Sequence, residues 1–363
     1  MAKPNTLNAE PVRWWIVSAV TALLVIAVPI PAWIVDDFYS RDMYAWFQGV
    51  ITAGTNVLPL AVLDLILAVA AVMFGYRLVR LFHVARQRGL IDALWEGFRR
   101  LVRFAAVTVL LFLWAWGFNY RRVPLETALK QTAVAPTVDA LKVAFADAAS
   151  LAASLRTQAE SAGRPHSIAL ELKGPMNVAL RLLSRAELVT PAEPKYSLIL
   201  TPFFNWSGVT GMTNPFGYET IILPDLLPYE KPFVIAHEWA HLAGHADEAE
   251  ASAVGWLACM KGGPTLAYSA SLYLLMETAS AMPADARQEV MAHVDAGVRG
   301  DIDAIVERMK AQNPTIQRTT SRVYDEYLRA NRVADGTASY GRALRLILSS
   351  PFREALSAYT VTR

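Results

Sequence analysis

The N-terminal third of the chain alternates between long apolar runs and short charged stretches. Residues 14–35 carry no charged side chain, residues 57–76 carry a single one, and residues 104–120 form a shorter run rich in aromatic side chains. A helix needs about 20 consecutive apolar residues to cross a bilayer. The pattern therefore predicts three transmembrane helices over these ranges. The first is expected to be retained rather than cleaved as a signal peptide, because Pro29 and Pro31 interrupt any cleavage site.

Beyond the third run the pattern is typical of a globular domain. Residues 125–160 are rich in Ala and Leu with helical spacing, and nearly all of the chain after Ser252 also has a helical pattern. Residues 196–201 and 218–223 have the β-branched, apolar composition of strands, and the stretch 208–217 between them is rich in turn residues. We predict an α+β fold that is predominantly α, with three N-terminal transmembrane helices followed by a domain that contains a small β-sheet.

The composition supports a membrane protein and limits the classes of partner that it can bind. Hydrophobic residues make up 54% of the chain and charged residues only 18%, whereas about a quarter of the residues of an average soluble domain are charged. The net charge of +2 indicates no nucleic-acid partner. The single cysteine, Cys259, excludes an internal disulfide.

The charges between the apolar runs orient the predicted helices. The loop at 36–42 is acidic. The next loop is basic and carries Arg77, Arg80, Arg86, Arg88, Arg99, Arg100 and Arg103. Because basic loops stay in the cytoplasm, we predict a multi-pass protein of the cell membrane with a cytoplasmic N-terminus, a membrane domain at 1–120 and an extracytoplasmic domain at 121–363. Asp64, an acid within the second run, is expected to cap a helix or pair near the outer interface.

The stretch FVIAHEWAHLAG at 233–244 carries the strongest chemical signal. In a helix, His237 and His241 are four residues apart and project from one face, where both imidazoles can bind one metal ion. Glu238 can take a proton from a metal-bound water and return it to a leaving amine. The apolar lead-in indicates a buried helix, in which such a face without a metal would be costly. Gly244 is a natural helix stop, so the chain can turn and bring back a third ligand.

Three acidic residues after this turn compete for the third ligand position. In the glutamate-type zinc peptidases (gluzincins) the second helix carries Glu-x-x-Ala-Asp/Asn, and its last residue supports a ligand His. The stretch EAEAS at 248–252 resembles this pattern, with Glu248 as the ligand and Ser252 in place of Asp/Asn. Glu250 would point to another side of the same helix, and Asp247 would be the ligand in a metzincin-like arrangement. Glu248 is favoured over both.

Further motifs extend the resemblance over most of the chain. They are WGFNYRRVPL at 116–125, NPF at 214–216 with Glu219, HEWAH at 237–241, EAEA at 248–251, AYS at 267–269, DG at 335–336 and SYG at 339–341. In these motifs the chain resembles a bacterial membrane-anchored family that is catalogued as a domain of unknown function and grouped with gluzincin-type metallopeptidases. The resemblance implies a fold, a topology and a zinc site, but no substrate. Tyr268 and Tyr340 lie in these motifs and are candidates to stabilise an oxyanion.

The sequence thus predicts a membrane-bound zinc metallopeptidase that hydrolyses peptide bonds near the outer membrane face. Zn²⁺ held by His237, His241 and Glu248 would activate water, with Glu238 as general base. The expected partners are the lipid bilayer and peptide or protein substrates of the envelope or membrane. One alternative is a catalytically degenerate zinc-binding module for an envelope partner, although structural zinc sites usually contain more Cys. Cleavage inside the bilayer is a second alternative, disfavoured because HExxH follows the polar stretch 229–232.

Overall fold

The structure is predominantly helical and contains a small antiparallel sheet. It is a computed structural model that describes residues 14–130, 135–163, 167–331, 340–349 and 352–354, with the backbone alone at residues 340 and 341. The chain forms two compact units. The first consists of Met1–Pro31 and Leu65–Phe118, and the second of Ala32–Asp64 and Asn119–Arg363.

Sixteen α-helices and two strands follow one another along the described chain. The helices are α1 (Trp14–Ala27), α2 (Ala32–Ile34), α3 (Tyr44–Asn56), α4 (Val62–Arg88), α5 (Leu90–Ala115), α6 (Leu125–Ala128), α7 (Val138–Ala162), α8 (Ile168–Leu182), α9 (Thr201–Ser207), α10 (Lys231–Leu242), α11 (Glu248–Met260), α12 (Pro264–Ala281), α13 (Ala284–Met291), α14 (Ala296–Met309), α15 (Pro314–Ala330) and α16 (Tyr340–Ile347). The strands are β1 (Gly211–Asn214) and β2 (Glu219–Ile222). A π-helical segment, Val35–Met43, joins α2 to α3, and a 3₁₀ turn, Gly117–Arg121, follows α5.

One clear apolar helix, α4, replaces the three spans expected from the sequence. Among the described helices, α4 alone is long and apolar enough by itself to cross a membrane. The first predicted span, at 14–35, is broken after Ala27 by its prolines, and α1 passes the same test only when paired with Ala32–Asn56 across a bend of 105°. In the third, at 104–120, only residues 104–115 belong to α5, and Arg103 leaves too few apolar residues before that helix ends. The second, at 57–76, starts later, at Val62.

Aromatic packing joins α1 to α5 within the first unit. The ring of Trp15 lies 6.0 Å from that of Trp95 and 6.2 Å from that of Phe98, both in edge-on geometry. By contrast, no side chain of α4 is buried in the protein. A long apolar helix without a buried side chain is suited to a lipid environment.

Residues 32–64 belong to the second unit, although the sequence predicted a membrane domain over 1–120. The buried side chains of Gln48, Thr52 and Thr55 on α3 each donate to a backbone carbonyl of the stretch 190–218, at 2.5, 2.9 and 3.1 Å. Buried polar groups are stable when they are hydrogen-bonded in this way. This polar stripe makes α3 an integral part of the second unit.

The core of the second unit surrounds α11. Every one of its 13 residues except Glu250 is buried, and it packs against α8, α10, α12 and α16. The large side chains of Trp239 on α10 and Trp256 on α11 are fully buried. Because α11 is apolar on nearly all sides, it forms a central helix rather than an amphipathic surface helix.

The sheet pairs β1 with β2 in antiparallel register, with Gly211 opposite Ile222. The strand predicted at 218–223 is present as β2, but β1 lies in the stretch predicted as a turn. The strand predicted at 196–201 is wrong, because this stretch forms a turn that leads into α9. There, the Ser197 hydroxyl accepts from the Leu200 N–H at 2.8 Å and caps the turn.

Candidate metal centre

Helix α10 places the two histidines of the HExxH motif on one face. Their rings are perpendicular to each other with centroids 4.7 Å apart, and His237 Nε2 lies 3.1 Å from His241 Nε2. The helix begins with Lys231 and Pro232, where proline is compatible with the first turn. The four-residue spacing therefore directs both Nε2 atoms to the same point.

A tight turn after α10 returns the chain to this point. Gly244 has a φ of +86°, which a residue without a Cβ adopts at little cost. The His245 N–H donates to the Ala240 carbonyl at 3.0 Å, which satisfies one of the last carbonyls of the helix. Asp247 then caps α11 by accepting from the N–H groups of the second and third residues of that helix, at 3.0 and 3.2 Å. Glu248, the first residue of α11, consequently points back at α10.

Three side chains from these two helices converge and could hold one metal ion. Glu248 Oε2 lies 3.2 Å from His237 Nε2 and 3.6 Å from His241 Nε2, and all the ligand atoms lie within 4.8 Å of one another. Ligands bound tetrahedrally at about 2.0–2.2 Å from a zinc ion are roughly 3.4 Å apart. The spacing of the three atoms thus suits a single four-coordinate ion.

Hydrogen bonds fix each histidine from its other ring nitrogen. His241 Nδ1 lies 2.7 Å from the backbone oxygen of His245, and His237 Nδ1 lies 3.2 Å from Ser252 Oγ. Such contacts orient a ligand imidazole so that Nε2 faces the metal. Ser252, at the position where the gluzincin pattern has Asp or Asn, thus contacts His237.

Glu248 is held by a tyrosine that the sequence did not indicate. The Tyr324 hydroxyl donates to Glu248 Oε1, while Oε2 faces the histidines. Tyr324 lies on α15, 76 residues farther along the chain. Although burial opposes ionisation, the neighbouring histidines hold the pKa of Glu248 well below its usual range, so it is a carboxylate. Burial disfavours protonation of His241, yet Glu248 raises the pKa of His241 to about 9.

We call His237, His241 and Glu248 the metal-ligand cluster. Glu238 lies next to this cluster and is not one of the three. Thr213 Oγ1 on β1 lies 2.9 Å from both Glu238 Oε2 and the backbone oxygen of Glu238. Burial raises the pKa of Glu238, and the nearby His237 and His241 partly oppose that rise. A buried carboxylate with a raised pKa is suited to accept and release a proton.

Strand β1 lies directly on the Glu238 face of α10. A Cβ atom at Gly211 would lie 2.7 Å from Glu238 Oε1 and 3.0 Å from Val234 Cγ1. Only glycine permits this approach of backbone to carboxylate. The close contact places the edge of the sheet beside the candidate general base.

The two competing acids are engaged in other contacts. Asp247 forms an ion pair with Arg342 in addition to capping α11. Glu250 accepts from the Leu125 N–H at 2.6 Å and lies 3.1 Å from His245 Nδ1. Burial lowers the pKa of His245 to about 4, so this ring is neutral and donates to Glu250. Of the three acids, Glu248 is the one that the structure brings to the histidines.

The two tyrosines predicted to stabilise an oxyanion are not both described. The Tyr268 hydroxyl donates to Asp301 on α14, and its ring packs on Tyr229 at 6.3 Å. This proton is therefore used in a contact with α14. The side chain of Tyr340 lies outside the described residues, as does the DG motif at 335–336. An oxyanion role for either tyrosine stays a prediction.

The motif at 116–125 secures the turn after α10. Arg122 donates to the backbone oxygens of Ala243 and Gly244 at 3.2 and 3.0 Å and to Asp36 at 3.0 Å. Arg185 also pairs with Asp36, at 2.8 Å. Buried charges are stable when paired and hydrogen-bonded. These contacts hold the turn that carries the third ligand.

The NPF motif and Glu219 have a structural role at the start of α4. Glu219 is buried and accepts from the N–H groups of Val62 and Leu63 at 2.8 and 3.2 Å. Lys195 Nζ and Asn214 Nδ2 donate to the same carboxylate at 2.8 and 2.9 Å. A carboxylate at the first N–H groups of a helix stabilises its N-terminus. Glu219 therefore caps the apolar helix rather than contacting the metal-ligand cluster.

Comparison with known proteins gives the chain a family. Residues 39–348 match the model of a family described as "Protein of unknown function (DUF3810)". The chain belongs to the DUF3810 family. No curated protein and no solved structure matches it. The description of the DUF3810 family states no activity, so the expected relation to gluzincins stays a prediction.

Proposed function

We propose that this DUF3810 protein is a membrane-anchored zinc metallopeptidase. The observation that carries the proposal is the convergence of His237 Nε2, His241 Nε2 and Glu248 Oε2, at 3.1–3.6 Å from one another. Glu238 stands one residue from the first ligand and outside the ligand set. A site that only needs to bind metal has no use for a buried carboxylate at that position.

The chemistry of the ligands favours zinc. Two imidazoles and one carboxylate form a set typical of catalytic zinc sites, which keep one position open. Structural zinc sites use more thiolates, and Cys259 is buried beside the Pro232 carbonyl. When bound, zinc supplies Lewis acidity that lowers the pKa of a water molecule to about 7 and polarises a carbonyl.

The residues of the chain would supply the proton transfer. Thr213 orients the Glu238 carboxylate, which takes a proton from the attacking water and gives it to the leaving amine. Ser252, the His245 carbonyl and Tyr324 keep the three ligands in place. Exclusion of bulk water from the buried Glu238 strengthens its electrostatic interactions with the reacting groups.

Strand β1 offers a binding edge for an extended peptide. Among the described strands, β1 pairs only with β2, and β2 has the Lys195 bridge at Ile221 on its other side. The outer edge of β1 thus has backbone groups that can bind a substrate strand. Because Gly211 and Thr213 of β1 contact Glu238, such a peptide would lie beside the general base.

The membrane arrangement belongs to the same proposal. The α4 helix would cross the bilayer. The basic residues Arg86 and Arg88 at the end of α4 would lie in the cytoplasm and the second unit outside it. Substrates would then be peptide segments of envelope or membrane proteins.

Replacement of Glu238 separates catalysis from metal binding. We expect Glu238→Gln to retain its metal and to lose hydrolysis of a peptide library by roughly a hundredfold or more, the range for loss of a general base. Proteomes of cells that express either form would identify substrates, because new envelope peptides should appear only with the wild type. Equal proteomes and equal hydrolysis would favour the alternative of a metal-binding envelope module.

A further inference from the structure

The segment 196–206 exposes an apolar surface on the second unit. Leu198, Ile199, Phe203 and Trp206 are 75%, 48%, 40% and 51% exposed. The sequence contains no charged residue from position 196 to position 218. Soluble surfaces rarely present such a continuous apolar stretch, and one of this kind marks a contact with another apolar phase.

Hydrogen bonds fix this segment to the start of the apolar helix α4. Asp64 in the first turn of α4 accepts from the Leu198 N–H at 2.7 Å and from the Ser197 hydroxyl. Lys195, just before the segment, donates to the Leu60 carbonyl at 3.3 Å. The side chains of Leu58 and Leu60, in the loop that leads into α4, are also exposed. The exposed segment 196–206 and the exposed loop at Leu58 and Leu60 therefore lie together at Asp64. The apolar run of α4 continues directly after that residue.

We propose that the segment 196–206, together with Leu58 and Leu60, inserts into the outer interface of the bilayer, where lipid acyl chains cover it. Leu198 is hydrogen-bonded to Asp64, the residue before Leu65. When α4 enters the membrane at Leu65, Leu198 is therefore held at the same depth. Tyr196 and Trp206 are the aromatic types that are enriched at the membrane interface. Asp64 reaches this depth with its carboxylate already hydrogen-bonded, which reduces the cost of its burial.

The insertion would decide which substrates reach the site, a consequence that rests on the proposed function. The α9 helix ends at Ser207 and β1 begins at Gly211. The binding edge is thus only a few residues from the lipid-covered surface. Peptide segments anchored in the membrane would be presented to β1, whereas soluble peptides would not gain from this proximity.

Depth-dependent quenching tests the insertion directly. The full-length protein is reconstituted in phosphatidylcholine and phosphatidylglycerol vesicles, and a Leu198→Cys variant is labelled with an environment-sensitive fluorophore. The native Cys259 is buried and provides little background. Leu170→Cys on α8 is the matched control, because Leu170 is 72% exposed. We expect a blue shift and a loss of emission with brominated lipids at position 198 only.

The outcomes separate this inference from the proposed function. Protein that floats with the vesicles while its position-198 label behaves like the control would overturn the insertion but leave the membrane anchor. Failure to float would overturn both. A third outcome is emission that depends on the protein-to-lipid ratio and does not change with brominated lipid. It would show that a second copy of the chain covers the segment, and it would refute the proposal. Hydrolysis that is unchanged between soluble and lipid-anchored peptides would remove the consequence for substrates alone.

Discussion

Each imidazole of the metal-ligand cluster has a hydrogen-bond partner at Nδ1, the ring nitrogen that faces away from the other ligands. Ser252 and the His245 backbone oxygen provide these contacts for His237 and His241, and Tyr324 holds the outer oxygen of Glu248. Contacts of this kind set the orientation and the basicity of metal ligands. The metal affinity of the cluster would therefore depend on residues that would not touch the ion.

Removal of the Tyr324 hydroxyl should weaken metal binding. We expect Tyr324→Phe to lower the zinc affinity by about tenfold, because Glu248 loses its orienting donor. Tyr327→Phe is the matched control, since its hydroxyl contacts that of Tyr120 at 3.4 Å. Titration against a chromophoric zinc chelator measures both constants. Equal weakening in the two variants would show that the effect comes from helix packing and not from the Glu248 contact.

The spacing of residues in the sequence predicts the part of the site whose residues lie close together along the chain. His237, Glu238 and His241 share one helical turn, and Glu248 follows after a single tight turn, so their proximity is dictated by helix geometry. Thr213 and Tyr324 reach the same site from 25 and 76 residues away. No local periodicity encodes such distances, and only tertiary packing brings these residues to the cluster.

At the scale of elements, the distance between α10 and α11 determines whether the cluster forms. A Cβ atom at Gly255 would lie 2.8 Å from the His237 backbone nitrogen and 3.0 Å from its Cα. The contact is with backbone, which cannot rotate away. Gly255 stands one turn beyond Ser252, so the close crossing of the helices also sets the Ser252–His237 hydrogen bond.

A methyl group at this crossing should separate the helices. We expect Gly255→Ala to destabilise the protein by about 1–3 kcal/mol, the usual cost of overpacking a core. Gly300→Ala on α14 is the matched control, because nothing lies within 4 Å of a Cβ at that position, and it should be neutral or stabilising by up to about 1 kcal/mol. Thermal unfolding in detergent measures the difference. A Gly255→Ala protein as stable as the control would contradict the packing described.

Two predicted elements are wrong because a capping side chain or a proline overrides the composition of the segment. The strand-like composition at 196–201 did not produce a strand because Ser197 caps a turn and Pro202 starts α9. The run at 14–35 was long enough for one helix but contains prolines. The predominance of helices and the strand at 218–223 were predictable, because their patterns have no such competitor.

The whole molecule combines a helical unit with apolar helices and a unit that contains the candidate metal centre. The second unit includes α3, which lies between the first two predicted spans and carries a stripe of buried polar side chains. Within the second unit, Glu219 links β2 to the first turn of α4, at Val62 and Leu63. A change in that carboxylate would affect both the sheet edge and the start of the apolar helix.

Topology is testable with single cysteines in intact cells. We expect a cysteine at Val323, which is exposed on α15, to react with a membrane-impermeant maleimide. A cysteine at Gln87, which is exposed in the basic last turn of α4, should react only after permeabilisation, because basic loops stay in the cytoplasm. The native Cys259 is buried, and the wild type serves as the unlabelled control. The reverse labelling pattern would place the second unit in the cytoplasm.

Metal content tests the central claim most directly. Elemental analysis of the purified full-length protein should give one zinc per chain, and His237→Ala or Glu248→Ala should lose it, since two ligands bind zinc far more weakly than three. Glu250→Ala, which alters a neighbouring acid engaged by Leu125 and His245, should retain the zinc. Zinc that is absent from the wild type, or that stays at full occupancy in His237→Ala and Glu248→Ala, would contradict a metal centre formed by these residues.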